Sequence, residues 1–238
     1  MRHWLVTGAR GQLGSDVLRV LAGCAGAGRV TGLGRAELDL TDPAAVDTAL
    51  AELRPDVVIN AAAYTAVDAA EADEPAALAG NATGPANLAR ACATHRVPLV
   101  HVSTDYVFDG QATEPYPTDA PTEPTSAYGR TKLAGEQAVR QLCPRSHVVR
   151  TAWVYGQTGG NFVKTMARLE SERDSLDVVD DQRGSPTWSR DLAAGLVALA
   201  GSGAPPGVYH CTNGGDTTWY GLARAVFEEL GADPSRVR

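Results

Sequence analysis

The sequence predicts an α/β fold, a Rossmann-type doubly wound parallel sheet followed by a smaller C-terminal lobe. Three observations predict it. Strand-like and helix-like segments alternate through the first 150 residues. A glycine-spaced turn, Gly8-Ala9-Arg10-Gly11-Gln12-Leu13-Gly14, follows directly on the first strand pattern. The segment 56–60, built on Val57-Val58-Ile59, is an apolar run of the kind found in parallel strands covered on both faces. With 238 residues, 44% of them hydrophobic, the chain has material for one such domain with an appendage.

Taken in order, Trp4-Leu5-Val6-Thr7 reads as the first strand, and a helix runs from about Leu13 to Leu21. Arg29 to Leu33 reads as a second strand. Thr41-Asp42-Pro43 opens the next helix, with Pro43 in the tolerated first turn. Segment 56–60 is the third strand, and a long Ala-rich helix is expected from about Pro75 to His95. Pro98 to Ser103 is a strand, Ser126 to Leu142 a helix capped by Ser126, and His147 to Thr151 a strand. The rhythm weakens after Arg150. Helices are expected over 161–171 and 190–200, an extended segment over 177–179 and a strand over 208–211. A last helix over 217–230 ends at Gly231. The expected division is a dinucleotide-binding domain over 1–150, and over 151–238 the last sheet strands with an interleaved substrate-binding lobe.

Composition narrows the partners. A formal net charge of −7 with dispersed Lys and Arg argues against a nucleic-acid surface. No apolar run approaches the ~18 residues needed to span a membrane, and no charged leader with an apolar core precedes the first strand, which predicts a cytoplasmic protein. Cys24, Cys92, Cys143 and Cys211 are far apart without metal-ligand spacing, so core packing in a reducing compartment is expected.

The glycine turn carries the binding argument. Gly8 permits a tight turn, Gly11 lets backbone N–H groups approach a pyrophosphate, and Gly14 lets the helix pack on the strand. The helix N-terminus adds partial positive charge. The spacing is Gly-x-x-Gly-x-x-Gly, and an ordinary strand-to-helix turn is the alternative. At the end of the second strand, Arg35 tips the dinucleotide towards NADPH, with NADH left open, since an arginine there suits a 2′-phosphate. A solvated surface arginine would look the same.

Tyr128 and Lys132 stand four apart on a predicted helix and share one face. A phenol titrates near pH ~10, and a cation within about 4–6 Å lowers that by roughly 1–3 units, which gives a proton donor tuned towards neutral pH. Ser103-Thr104-Asp105-Tyr106 lies some twenty residues upstream at a strand end.

These features, with further motifs in order along nearly the whole chain, resemble the extended short-chain dehydrogenase/reductase family, and within it the dTDP-4-dehydrorhamnose reductases. The motifs are Gly11 to Gly14, Asn60 to Asp68, Ser103 to Gly110, Tyr128 to Lys132 with Gly135-Glu136, Arg150 to Gly156, and Asp181 to Thr187. The resemblance implies hydride delivery from a nicotinamide to the C4 keto carbon of a nucleotide-linked deoxyhexose. Tyr128 would protonate the alkoxide, Thr104 would hydrogen-bond it, and Lys132 would hold the nicotinamide ribose and lower the Tyr128 pKa. Gly8, Gly11, Gln12, Leu13, Gly14, Arg35, Asp39, Leu40, Ala61, Ala62 and Ala63 would contact the cofactor. Val67, Asp68, Thr104, Asp105, Tyr128 and Trp153 would contact the sugar. Each has a plainer alternative: Asp68 capping a helix, Trp153 filling core, Thr104 bonding its own strand end.

Further expectations follow from the same resemblance. Related 4,6-dehydratases carry Asp then Glu after the threonine, whereas here Tyr106 follows Asp105, which argues against dehydration. Asp16 could stand for one carboxylate of a magnesium contact known in the family, but Arg190 stands where another would align, so no metal site is expected. Family chains continue past the position of Arg238 with a segment that closes the substrate lobe, which leaves part of the sugar pocket unassigned. A nucleotide-sugar is the expected small-molecule partner, for a monomer or homodimer. Alternatives are a 4-keto reductase or dihydrostreptose-type synthase for an antibiotic sugar, a non-catalytic regulatory subunit of methionine adenosyltransferase type, and a nucleotide-sugar epimerase.

Overall fold

The computed structural model describes residues 2–238. Strands β1 (His3–Thr7), β2 (Arg29–Leu33), β3 (Val57–Asn60), β4 (Leu99–Thr104) and β5 (Ser146–Thr151) are joined by helices α1 (Gln12–Gly23), α2 (Pro43–Leu53), α3 (Val67–Ala72), α4 (Glu74–Leu78), α5 (Gly84–Thr94) and α6 (Ala127–Leu142). Then come β6 (Val154–Tyr155), α7 (Phe162–Glu172), β7 (Arg183–Gly184), β8 (Thr187–Trp188), α8 (Ser189–Ser202), β9 (Gly207–His210), β10 (Thr217–Thr218) and α9 (Trp219–Glu229).

Six strands form one parallel sheet in the order β2-β1-β3-β4-β5-β9. Adjacent side chains on each strand go to opposite faces, and the chain uses this alternation. Leu5, Val58 and Leu99 pack with Leu50, Leu88 and Val139 from α2, α5 and α6. Their neighbours Val6, Ile59 and Val100 pack with Val17, Leu21, Leu192 and Leu196 from α1 and α8. The strand order reverses at β1, with β2 on one side and β3 on the other. A crevice therefore opens at the carboxyl ends of β1 and β3, where such sheets bind ligands.

The Ala-rich stretch is helical throughout, as expected for 75–95, with a π-type bulge over Ala79–Thr83 between α4 and α5. Asn81 sits in the bulge. Its side-chain oxygen accepts from Tyr64 N, and its amide donates to Tyr64 O and the Thr131 hydroxyl. Helix α6 crosses its backbone so closely that a Cβ on Gly135 would lie 2.0 Å from Asn81 O. The segment 177–179, expected to be extended, bonds to the C-terminal residues without forming a named strand: Val178 N donates to Arg238 O, and Leu176 N just before it to Arg236 O. The short strands β6, β7, β8 and β10 are too brief for periodicity to reveal.

The 151–238 stretch serves two structures. β9 and α8 complete the main sheet, whereas α7 and α9 enclose a separate core of Met166, Ala223, Val226, Phe227 and Val237. Cys92 and Cys143 are buried as expected and Cys211 is partly buried. Cys24, the residue that ends α1, is exposed, so core packing does not describe it. No described helix is long and apolar enough to cross a membrane.

Candidate active site

The glycine loop fits a pyrophosphate. Gly8 adopts φ +69°, and a Cβ there would lie 2.5 Å from Ala62 N, so the β1 and β3 loops touch at a point that admits no side chain. A Cβ on Gly14 would meet Gly8 O at 2.2 Å. Gly11 precedes α1 and supplies no side-chain cap, which leaves the first N–H groups of the helix, at Gln12 and Leu13, for an incoming anion. Ala61, Ala62 and Ala63 line the neighbouring loop. Ala61 N bonds Thr7 O, and Ala62 N bonds the Asn60 side chain, itself held by the Thr7 hydroxyl.

The far end of this cleft is polar and open. Arg35 is exposed and faces the Asp39 carboxylate, whose acidity is raised first by bonds from Thr41 N and then from the Thr41 hydroxyl. Asp39 thereby closes its own turn, and Leu40 is buried in the core. Sequence reasoning missed Arg10. From the glycine loop it reaches over Gly34 to pair with Glu37 at 2.6 Å, so two guanidinium groups flank the end of β2. Arg10 lies inside the motif, but nothing in its spacing marked it.

At the carboxyl end of β4, the structure brings Thr104, Tyr128 and Lys132 together. Thr104 and Lys132 are 6% and 2% exposed, and Tyr128 is 9% exposed. Ser126 caps α6 through a bond from Gly129 N, which starts the helix where Tyr128 enters the site. The Tyr128 phenol neighbours the Thr104 hydroxyl, and its ring meets Tyr106 edge-on at 5.5 Å. Thr104 Oγ1 donates to Asp105 Oδ1 at 3.0 Å and accepts from Tyr106 N at 3.2 Å.

One electrostatic expectation fails. Burial first, then the nearby Asp105 and Tyr106, holds the Tyr128 phenol above its ordinary pKa, although the neighbouring Thr104 hydroxyl pulls the other way. Lys132 does not lower it, because Nζ turns to Val102 O at 2.8 Å. Burial pushes Lys132 itself down to about 8 against the pull of Glu136. Asp105 is pushed up to about 6 by desolvation, with Thr104 opposing.

Beneath the site is a buried ion pair that spacing did not reveal. Arg150 grips Glu136 through Nε at 3.0 Å and Nη2 at 2.8 Å, donates to Thr118 O, and lies over the Phe108 ring. His101, fully buried and facing Asn60 at 3.0 Å, is kept neutral by burial and by Lys132. Asp16, considered above as a carboxylate for a metal, bonds Arg19 and the Ser189 hydroxyl.

The remaining predicted residues rim the opening. Val67 packs towards Tyr128 at the start of α3. Asp68 is exposed in the first turn of that helix and makes no capping bond. Trp153 is no core filler. It adopts φ +46° and stacks on Trp219 of α9 at 3.6 Å, joining the sheet to the smaller lobe.

Three comparisons with known proteins bear on this geometry. A family model described as RmlD substrate binding domain matches residues 1–238. A dTDP-4-dehydrorhamnose reductase of Streptomyces griseus is 53% identical over 242 residues, covering 99% of this chain and 79% of that protein. A probable dTDP-4,6-dihydroxy-2-methyloxan-3-one 4-ketoreductase of Streptomyces antibioticus is also 53% identical, covering 99% of this chain and 80% of its own. Among solved structures, a dTDP-4-dehydrorhamnose reductase of Bacillus anthracis in complex with NADP superimposes with a TM-score of 0.91 at 37% identity, over 98% of this chain and 82% of that one.

Proposed function

The chain belongs to the RmlD substrate binding domain family, and we propose that it is an NADPH-dependent oxidoreductase that reduces the C4 keto group of dTDP-4-dehydrorhamnose to give dTDP-L-rhamnose. The observation that carries this reading is the meeting of Thr104, Tyr128 and Lys132 beside a crevice whose glycine loop accepts a pyrophosphate. The cofactor named for the Bacillus anthracis structure supports NADPH, as do Arg10 and Arg35 at the end of β2.

When bound, NADPH supplies the hydride. Gly8, Gly11, Gln12, Leu13 and Gly14 would hold its pyrophosphate, Ala61 to Ala63 would allow close approach, and the turn of Asp39 and Leu40 would border the adenosine. Lys132, anchored on Val102 O, would present a cation to the nicotinamide ribose. The substrate oxygen gains negative charge as its carbon takes the hydride. Tyr128, kept protonated by burial, gives that oxygen a proton, and the Thr104 hydroxyl, which donates to Asp105 in this structure, would turn to it as the second donor. Val67, Asp68, Asp105 and Trp153 border the sugar. Residues 1–150 form the dinucleotide-binding domain and 151–238 bring the substrate lobe, in a cytoplasmic monomer or homodimer.

A second reading has a specific support. The Streptomyces antibioticus relative is equally similar, so another 4-keto-6-deoxyhexose reduced by the same chemistry is the alternative substrate. Incubating the protein with dTDP-4-dehydrorhamnose and NADPH, and following the reduced-nicotinamide absorbance, tests both. Stoichiometric loss with formation of dTDP-L-rhamnose supports the proposal, and loss only with an antibiotic-type keto sugar supports the second reading. Tight cofactor binding without turnover would point to a regulatory subunit, and sugar inversion without net loss to an epimerase.

A further inference from the structure

We propose that Trp219 is a positioning residue for the nucleotide-sugar, acting through Trp153, whose indole it clamps at the rim of the crevice. The inference rests on the reductase reading above and adds to it the element that sets one wall of the sugar site.

Trp153 holds a backbone conformation that tryptophan rarely adopts. Its φ of +46° lies in the left-handed region, where a Cβ crowds the following carbonyl oxygen. Such a residue persists only where its surroundings over-determine it. A bond from Thr187 N to Trp153 O, at 3.2 Å, fixes the main chain. Two other contacts fix the indole. One is Trp219, stacked with ring centroids 3.6 Å apart and planes 10° from parallel. The other is Gly184. A Cβ there would lie 2.4 Å from Trp153 Cε2 and 2.7 Å from both Cζ2 and Nε1. Cε2 is bonded to the other two, and an approach from the ring edge would bring those two nearer. The Gly184 position therefore lies over the ring. Trp219 covers one face of the indole, so Gly184 takes the other, and its backbone there admits no side chain.

Both jaws come from one short ribbon. β7 and β10 pair antiparallel, with Gly184 opposite Thr217 and Arg183 opposite Thr218. Trp219 follows Thr218 directly as the first residue of α9, and Thr218 Oγ1 caps that helix by accepting from Gly221 N at 3.0 Å. Arg183 Nε donates to Asp216 at 2.9 Å beside the same ribbon. Trp219 is braced in turn. Its Nε1 donates to Gln182 Oε1 at 3.3 Å, and the Phe162 ring of α7 packs against it at 4.5 Å. Phe162 also packs on the lobe core of Met166, Ala223 and Phe227. The pose of Trp153 is thus set from the smaller lobe.

That pose matters because of where Trp153 stands. It leads out of β5, whose last residue, Thr151, lies opposite Thr104 on β4. An indole that turns moves the wall beside the reacting group. Stacked aromatic rings contribute more than their buried area alone, so loss of Trp219 frees the indole to turn.

Binding of dTDP-L-rhamnose to the NADP-loaded protein, followed by calorimetry, tests the clamp. Trp219→Leu is expected to weaken it about three- to tenfold, with kcat and NADPH affinity near the wild-type values, and Trp219→Phe to restore most of the loss. Trp153→Ala weakens binding as well. The double variant binds no more weakly than Trp153→Ala alone, because Trp219 acts only through Trp153. Losses that add would mean that Trp219 acts on the sugar by another route, and that result overturns the clamp. So does an unchanged dissociation constant in Trp219→Leu, whatever its melting temperature. Gly184→Ala presses on the same indole without touching the lobe core, and it serves if Trp219→Leu does not fold. The same weakening is expected of it, and wild-type affinity overturns the proposal. A wild type that binds no dTDP-L-rhamnose and oxidises no NADPH with the keto sugar overturns the substrate reading, and the clamp falls with it. A wild type that binds, with losses that add, overturns the clamp alone.

Discussion

The two ends of the crevice are built on opposite terms. At one end Thr104, Tyr128 and Lys132 are nearly closed to solvent and stand on a buried Arg150–Glu136 pair whose side chains are 5% and 2% exposed. At the other, Arg10 and Glu37 form a pair with 77% and 37% of their side chains exposed, and Arg35 is open to water. Low dielectric magnifies every charge and hydrogen bond at the closed end, and solvent and salt screen those at the open end. On the proposed function, the chemistry would lie where displacement is costly, and the choice of dinucleotide where contacts are weak and adjustable.

Four variants sharpen or break that contrast. Tyr128→Phe is expected to lower turnover by about 10²-fold or more while cofactor affinity, measured by fluorescence titration, hardly changes. Unaltered turnover would remove Tyr128 as the acid. Glu136→Gln strands the buried Arg150 guanidinium and should cost about 3–5 kcal/mol in denaturant unfolding. Adding Arg150→Met should recover part of that loss. A single variant as stable as the wild type would mean that the pair does not support the site.

Asp105 gives a pH test of stability. Its folded pKa is pushed up by burial to about 6, above the ordinary carboxyl value of 3.8, so the folded state binds more protons between those values. Its contribution is full at low pH and is lost as pH rises through that window, on the order of 1.4 kcal/mol per pKa unit. Thermal unfolding of Asp105→Asn should lack this slope, and a slope like that of the wild type would contradict the assignment. The smallest effect is expected at the open end. Arg10→Ala should shift the ratio of kcat/KM for NADPH to NADH by only a few-fold, in favour of NADH, as befits a pair open to solvent and salt. A shift as large as the Tyr128→Phe loss would overturn the contrast.

The parts of this molecule that were legible in the sequence are those written in local periods. The parallel sheet follows from apolar runs such as Val57-Val58-Ile59, and the glycine loop and Ser126 cap from spacing. The hydrogen bonds of Asn81, at the π-type bulge of the expected long helix, join residues 17 and 50 positions away, and no local pattern encodes them. The direction in which Lys132 points had the same cause. Helical spacing placed it on the face of Tyr128, but only the fold shows Val102 O waiting for its ammonium. Arg10 pairs with Glu37 across 27 residues, and Trp153 meets Trp219 across the lobes, both beyond the reach of spacing arguments.

A crystal structure with NADP and dTDP-L-rhamnose bound tests the central claim most directly. The account predicts the pyrophosphate on the backbone N–H groups of Gly11 to Leu13, and the sugar C4 oxygen within hydrogen-bond distance of both Tyr128 Oη and Thr104 Oγ1. A sugar whose C4 oxygen lies beyond reach of Tyr128, or a cofactor seated away from the glycine loop, would contradict it.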